Sequence, residues 1–125
     1  MARVIGVGGL FFKADDPEKL YQWYETYLGV KREGSEAVTF TDGGPTVWAI
    51  FPKSTGYFSP SRAPFMMNFR VDDLDALLSS LREAGVEIDP HREDYDYGRF
   101  AWIADPEGNR LELWQASAKP ASGSV

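Results

Sequence analysis

Four polar side chains able to do chemistry, Glu112, Asn68, Arg70 and Lys13, fall in segments otherwise built of aromatic and aliphatic residues. Successive side chains of a strand point to opposite faces. Applied along the chain, that rule gathers Phe11, Lys13, Trp48, Ile50, Met66, Asn68, Arg70, Phe100, Trp102, Glu112 and Trp114 onto one face. Apolar walls with a few polar groups that fix orientation are the usual make-up of a small-molecule site. Trp48, Phe100, Trp102 and Trp114 would serve as stacking walls for a flat or conjugated ligand. A carboxylate in such surroundings has its pKa raised by desolvation, or lowered if Arg70 or Lys13 pairs with it. In either state Glu112 could hydrogen-bond a ligand or take a proton. The competing reading is that this face packs on another subunit, its rings filling the contact.

Other chemistries find little support. The chain has no cysteine, which removes thiolate nucleophiles and disulfides. Its single histidine, His91, stands in the charged run His91-Arg92-Glu93-Asp94 and reads as a solvated loop residue. Met66 and Met67 adjoin and read as apolar filling rather than a cofactor box. A net charge of −6 argues against a nucleic-acid partner, because phosphate binding needs a basic surface. No apolar run approaches the roughly 18 residues needed to span a bilayer, and the start shows no signal-peptide pattern. A cytoplasmic protein without a membrane partner is expected.

The elements that must position these residues can be read from pattern. Arg3 to Ala14 is rich in Val, Ile, Leu and Phe and predicts a strand. Asp15-Asp16-Pro17-Glu18 predicts a helix start, with an acidic cap and proline in the first turn. Leu20, Trp23, Tyr24, Tyr27 and Leu28 form its apolar stripe, and Gly29 ends it. Short strands are expected near Val30, at Ala37 to Thr41 and at Thr46 to Phe51, the last two joined at Asp42-Gly43-Gly44. Phe65 to Val71 predicts a strand, Asp72-Asp73 a cap, and Leu74, Leu77, Leu78 and Leu81 a second helical stripe ended by Gly85. Strands are expected at Val86 to Ile88, Arg99 to Ala104 and Arg110 to Ala116. Asp89 to Gly98 reads as a polar loop whose Tyr95 and Tyr97 could close over a pocket. The organisation is a first module at 1–52, a linker at 53–63, a second module at 64–116 and a disordered tail at 117–125.

The two modules nearly repeat. Phe12-Lys13-Ala14-Asp15-Asp16 matches Phe69-Arg70-Val71-Asp72-Asp73 at an offset of 57, and Leu28-Gly29-Val30 matches Ala84-Gly85-Val86 at 56. Phe40-Thr41-Asp42 matches Ile103-Ala104-Asp105 at 63, and past the turn Gly44 matches Gly108 at 64. On that alignment Glu112 answers to Trp48. Each copy is one β-α-β-β-β unit, and two such units side by side make a pseudo-symmetric sheet. Departures from symmetry inside its pocket are where function is to be sought.

Asp16-Pro17, Leu28-Gly29-Val30, Phe69-Arg70-Val71-Asp72-Asp73, Ala84-Gly85-Val86 and Asp105-Pro106-Glu107-Gly108-Asn109-Arg110-Leu111-Glu112-Leu113-Trp114 together resemble the vicinal oxygen chelate superfamily. That group contains the glyoxalases, bleomycin-resistance proteins and extradiol dioxygenases. The resemblance runs to about Gln115. It implies an α+β fold of two β-α-β-β-β modules in a cupped mixed sheet around a cavity, commonly as a homodimer whose modules pair across chains. It also implies that metal ligands, where a member has them, sit on the first and last strands of each module. Those positions fall on Gly9, Met66, Trp48 and Glu112, of which only Glu112 suits a divalent cation. No metal and no other cofactor is therefore expected.

The expected function is metal-free binding of a small aromatic or amphipathic molecule, as in drug or metabolite sequestration. Phe11, Lys13, Trp48, Met66, Asn68, Arg70, Phe100, Trp102, Glu112 and Trp114 would contact the ligand. The alternative is a glyoxalase-like lyase, isomerase or dioxygenase-type enzyme with Glu112 as base or metal ligand. A third reading is a structural dimer whose trough is filled.

Overall fold

The computed structural model describes residues 2–32, 34, 37–41 and 43–117. The element order is β1 (Val4–Ala14), α1 (Pro17–Leu28), β2 (Val38–Phe40), β3 (Thr46–Pro52), β4 (Phe65–Val71), α2 (Leu74–Glu83), β5 (Ile88–Tyr95), β6 (Gly98–Ala104) and β7 (Arg110–Ala116). Seven strands form one mixed sheet in the order β2-β3-β1-β4-β7-β6-β5. The two modules meet within this chain, through the antiparallel pair β1–β4 at the centre. On either side of it β3 runs parallel to β1, and β7 parallel to β4. The α+β fold is the one the repeat predicts.

Both helices start as their sequences dictate. Asp16 accepts from the Lys19 N–H and Asp73 from the Ala76 N–H, each capping a first turn that also carries an acidic residue. Gly29 ends α1 in the left-handed region at φ 70°, its N–H bonded to Glu25. The strand expected near Val30 is absent among the described residues. The chain there is still closing α1, with the Val30 N–H on the Tyr24 carbonyl and the Arg32 guanidinium 4.0 Å above the Tyr21 ring.

The second module departs in the other direction. Asp89 to Tyr95 is not a loop but most of β5, an eight-residue edge strand. Its polar sequence hid it, because an edge strand needs no apolar alternation. Its Pro90 falls where pairing with β6 is interrupted, between Ile88 and Arg92. Arg92 faces α2 and pairs with Asp75, while His91 faces the other way. Of the expected flap only the turn at residues 96–97 remains. The expected Asp42 turn residue and the tail at 118–125 lie outside the described residues.

Both helices cover one face of the sheet. Leu74 and Leu78 of α2 pack on Val71, Ala101 and Leu113 of the sheet. Tyr21 and Tyr24 of α1 pack on Phe12, Ala14, Trp48 and Ile50 of the sheet. Trp48 and Ile50 are thus on the helix face, opposite to expectation. Trp48 meets Phe12, Tyr21 and Tyr24 at ring separations of 5.6, 5.7 and 4.8 Å. Val47, Ala49 and Phe51 turn to the trough instead, beside Phe11, Phe58, Met66 and Trp102.

The error lies in the repeat offset. Phe11 stands across from Ala49 as Asn68 stands across from Glu112. Phe11 precedes Asn68 by the same 57 positions that relate the two central strands. Glu112 therefore answers to Ala49 at an offset of 63, with no residue gained at the turn. A slip of one residue moves every side chain of a strand to the other face. Trp48→Ala should lower the unfolding free energy by about 3 kcal/mol in urea titration. A change below about 0.5 kcal/mol would contradict its place under α1.

Candidate functional site

On the face away from the helices, three neighbouring strands bring Asn68, Glu112 and Trp102 into one row. All three side chains are buried, Glu112 at 2% exposure. Glu112 Oε1 accepts from Asn68 Nδ2 at 2.5 Å, and Oε2 accepts from Trp102 Nε1 at 3.0 Å. The Tyr57 hydroxyl also donates to Oε2. Close strand packing makes this row possible: a Cβ on Gly8 would collide with Asn68 Oδ1, so only glycine fits there. That Oδ1 has no hydrogen-bond partner among the described residues.

Among the described residues no cation enters the network. Lys13 Nζ lies 5.3 Å from the centre of the Phe58 ring, and Arg70 Nη2 donates to the Gly43 carbonyl at 3.1 Å. The ion pair considered for Glu112 is not formed. Burial pushes the Glu112 pKa above the usual carboxylate value; the hydrogen bonds from Tyr57, Asn68 and Trp102 oppose that shift, and the charge of Glu93 adds to it. Burial, then the charge of Glu112, pushes the Tyr57 hydroxyl well above the ordinary tyrosine range.

Besides Tyr21 of α1 and Val47, Ala49 and Phe51, which the offset turned to the wrong face, sequence reasoning missed Tyr57 and its neighbour Phe58. Both belong to the connection between β3 and β4. Phe58 is fully buried in the trough cluster with Phe11, Ala49, Met66 and Trp102. Tyr57 stacks on Phe51 with centroids 5.5 Å apart and planes 5° from parallel, and meets Trp102 edge-on at 6.2 Å. One signal was available: two adjacent aromatic residues in an otherwise small and polar segment.

The remaining expected residues lie as follows. Phe11, Met66 and Phe100 line the trough cluster. Phe100 stacks on Trp114 at 5.8 Å, further along the same face. His91, read as a loop residue, lies in β5 with its ring stacked on Trp102 at 5.4 Å and Nε2 2.7 Å from Glu93. The Tyr95 hydroxyl donates to the other Glu93 oxygen at 2.5 Å. These bonds from His91 and Tyr95 hold the Glu93 carboxyl below its usual value. Tyr97 stacks on Tyr95 at 5.1 Å and reaches over the trough.

The space left is an open cavity of about 470 Å³. Phe11, Tyr21, Ala37, Val47, Ala49, Phe51, Tyr57 and Tyr97 line it. Glu112 does not: Tyr57 stands between the carboxylate and the cavity.

A model of the Glyoxalase/Bleomycin resistance protein/Dioxygenase superfamily matches residues 10–113, and the chain belongs to that family. No curated protein matches the chain in sequence. Among solved structures it is similar to a variant of Streptomyces coelicolor methylmalonyl-CoA epimerase in complex with 2-nitronate-propionyl-CoA. That likeness has a TM-score of 0.66 at 15% identity, over 94% of this chain and 100% of that one. The methylmalonyl-CoA epimerase from Mycobacterium tuberculosis gives 0.64 at 21%, over 98% and 93%. A superfamily member from Vibrio splendidus 12B01 gives 0.61 at 16%, over 92% and 99%. At these identities the likeness is one of fold.

With the offset corrected, the positions where the resemblance implies metal ligands are Gly9, Met66, Ala49 and Glu112. Gly9 and Ala49 carry no donor atom, and Glu112 already accepts from three hydrogen-bond donors. This set does not fit a divalent cation. Among the described residues no three His, Cys, Asp or Glu side chains come together as a metal site, and no helix is long and apolar enough to cross a membrane.

A pH test follows from the raised Glu112 pKa. Its folded value lies above its unfolded one, so the proton is bound more tightly in the folded chain. The stability this contributes is complete below the ordinary carboxylate range and is lost as pH rises through the raised value. Urea titrations from about pH 4 to pH 8 should show wild type losing ground relative to Glu112→Gln as pH rises. A constant difference between the two would contradict the assignment.

Proposed function

We propose that this chain binds a small, flat and largely apolar molecule in the trough, without a metal ion. The observation that carries the proposal is the cavity of about 470 Å³ walled by the rings of Phe11, Phe51, Tyr57 and Tyr97 over a floor of Val47 and Ala49. Aromatic walls over small floor residues suit a planar ligand, which gains dispersion and apolar burial on both its faces. Sequestration needs affinity without chemistry, and the buried carboxylate of Glu112 is sealed from the cavity behind Tyr57.

A second reading, an enzyme using Glu112 as base, has one observation in its favour. Glu112 is a buried carboxylate with a raised pKa, the state in which a general base acts near neutral pH. The structural neighbours named as methylmalonyl-CoA epimerases are of the same fold.

Calorimetric titration with planar aromatic compounds tests the binding reading. Saturable binding is expected, weakened about fivefold or more by Tyr97→Ala, since that ring is a partly exposed wall whose loss removes stacking. Absence of saturable binding across the panel would overturn the proposal. Elemental analysis of the purified protein should show no stoichiometric divalent metal, and about one ion per chain would refute the metal-free part.

A further inference from the structure

We infer that the trough selects ligands carrying a hydrogen-bond donor, best a protonated amine on an aromatic body, and rejects carboxylates. This rests on the binding reading above and specifies its ligand. The polarity of the site follows from which atoms hold protons. Trp102 Nε1 and the Asn68 amide nitrogen can only donate, so both Glu112 oxygens are acceptors before Tyr57 is considered. The Glu112 carboxyl group accepts from the Tyr57 hydroxyl as well. Tyr57 is the member of this network that lines the cavity. Its one proton is committed inward, so its oxygen is left with lone pairs only, and a ligand must supply the hydrogen.

The surrounding charges point the same way. Glu93 lies close enough for its charge to act on both Tyr57 and Glu112, and its bonds to His91 and Tyr95 favour its ionised form. Lys13 sits over the Phe58 ring and Arg70 is bonded to the Gly43 carbonyl, so neither is hydrogen-bonded to Glu112 or Tyr57. The faces of Phe11, Phe51, Tyr57 and Tyr97 are themselves electron-rich and attract a cation. An anionic ligand would meet two carboxylates, ring faces and a tyrosine oxygen without a free proton.

Four 2-substituted naphthalenes of similar shape read this out by calorimetry: 2-naphthylmethylamine, 2-naphthol, 2-methoxynaphthalene and 2-naphthoate. The amine and the naphthol should bind about tenfold tighter than the methoxy compound, and naphthoate weakest of all. Tyr57→Phe should bring the naphthol-to-methoxy ratio within about twofold. Near-ultraviolet circular dichroism checks that this variant is folded. Glu93→Gln, at a part-exposed position, should weaken the amine more than the naphthol. Naphthoate binding as tightly as the amine would overturn the inference, as would a ratio that survives Tyr57→Phe. Equal binding of all four overturns this inference alone, whereas no binding by any of them overturns the binding reading with it.

Discussion

The Glu112 carboxylate lies in the middle of the sheet, held not by a cation but by hydrogen bonds from Asn68 on β4, Trp102 on β6 and Tyr57 on the connection between the modules. Taking a carboxylate out of water costs several kcal/mol even after the protein relaxes. Hydrogen bonds to a carboxylate are the strong kind, and here three of them oppose that cost, though burial still outweighs them and leaves the pKa raised. They also join parts of the chain that are far apart in sequence. Asn68 and Trp102 come into reach through strand register, but Tyr57 does not. Its hydroxyl bond, with the burial of Phe58, fixes the course of the 53–63 segment across the trough. The shape of the cavity therefore depends on one buried carboxyl group.

Symmetry of the scaffold explains why the cavity is where it is. In the second module the row across the trough holds Asn68, Glu112 and Trp102 and is filled by their network. The matching row of the first module holds Phe11 and Ala49, with the small Val47 nearby on β3. Ala49 leaves open the volume that Glu112 occupies in the other copy. One module supplies the polar anchor and the other the space, and Tyr57 belongs to both, bonded to the first and exposed to the second.

Much of this was legible in the residues. The capping aspartates, the leucine stripe of α2 and the glycine after α1 placed the helices, since each acts through local geometry. Alternation correctly put Phe11, Asn68 and Glu112 on one face. It failed at Trp48 because alternation states which residues share a face and not which face that is. The expected parity of β3 rests on a repeat offset that changes by one at the turn. It failed at β5 because an edge strand with charges on both sides has no apolar period. Tyr57 and Phe58 escaped because a loop has no periodicity that says which way its side chains turn.

The same network bears on whether Glu112 could abstract a proton from a ligand. Direct contact requires Tyr57 to leave, which breaks its bond to the carboxylate and its stack on Phe51. Relay through the hydroxyl requires Tyr57 to act as tyrosinate while its own proton rests on Glu112. Burial raises the Tyr57 pKa, and a phenol is by nature a far weaker acid than a carboxylic acid, so tyrosinate beside a protonated Glu112 is the disfavoured pair of states. The resting geometry keeps the phenol proton on tyrosine and aims it at glutamate. That distribution suits an oxygen that accepts a hydrogen bond from a bound molecule, and it works against a base that takes the proton away.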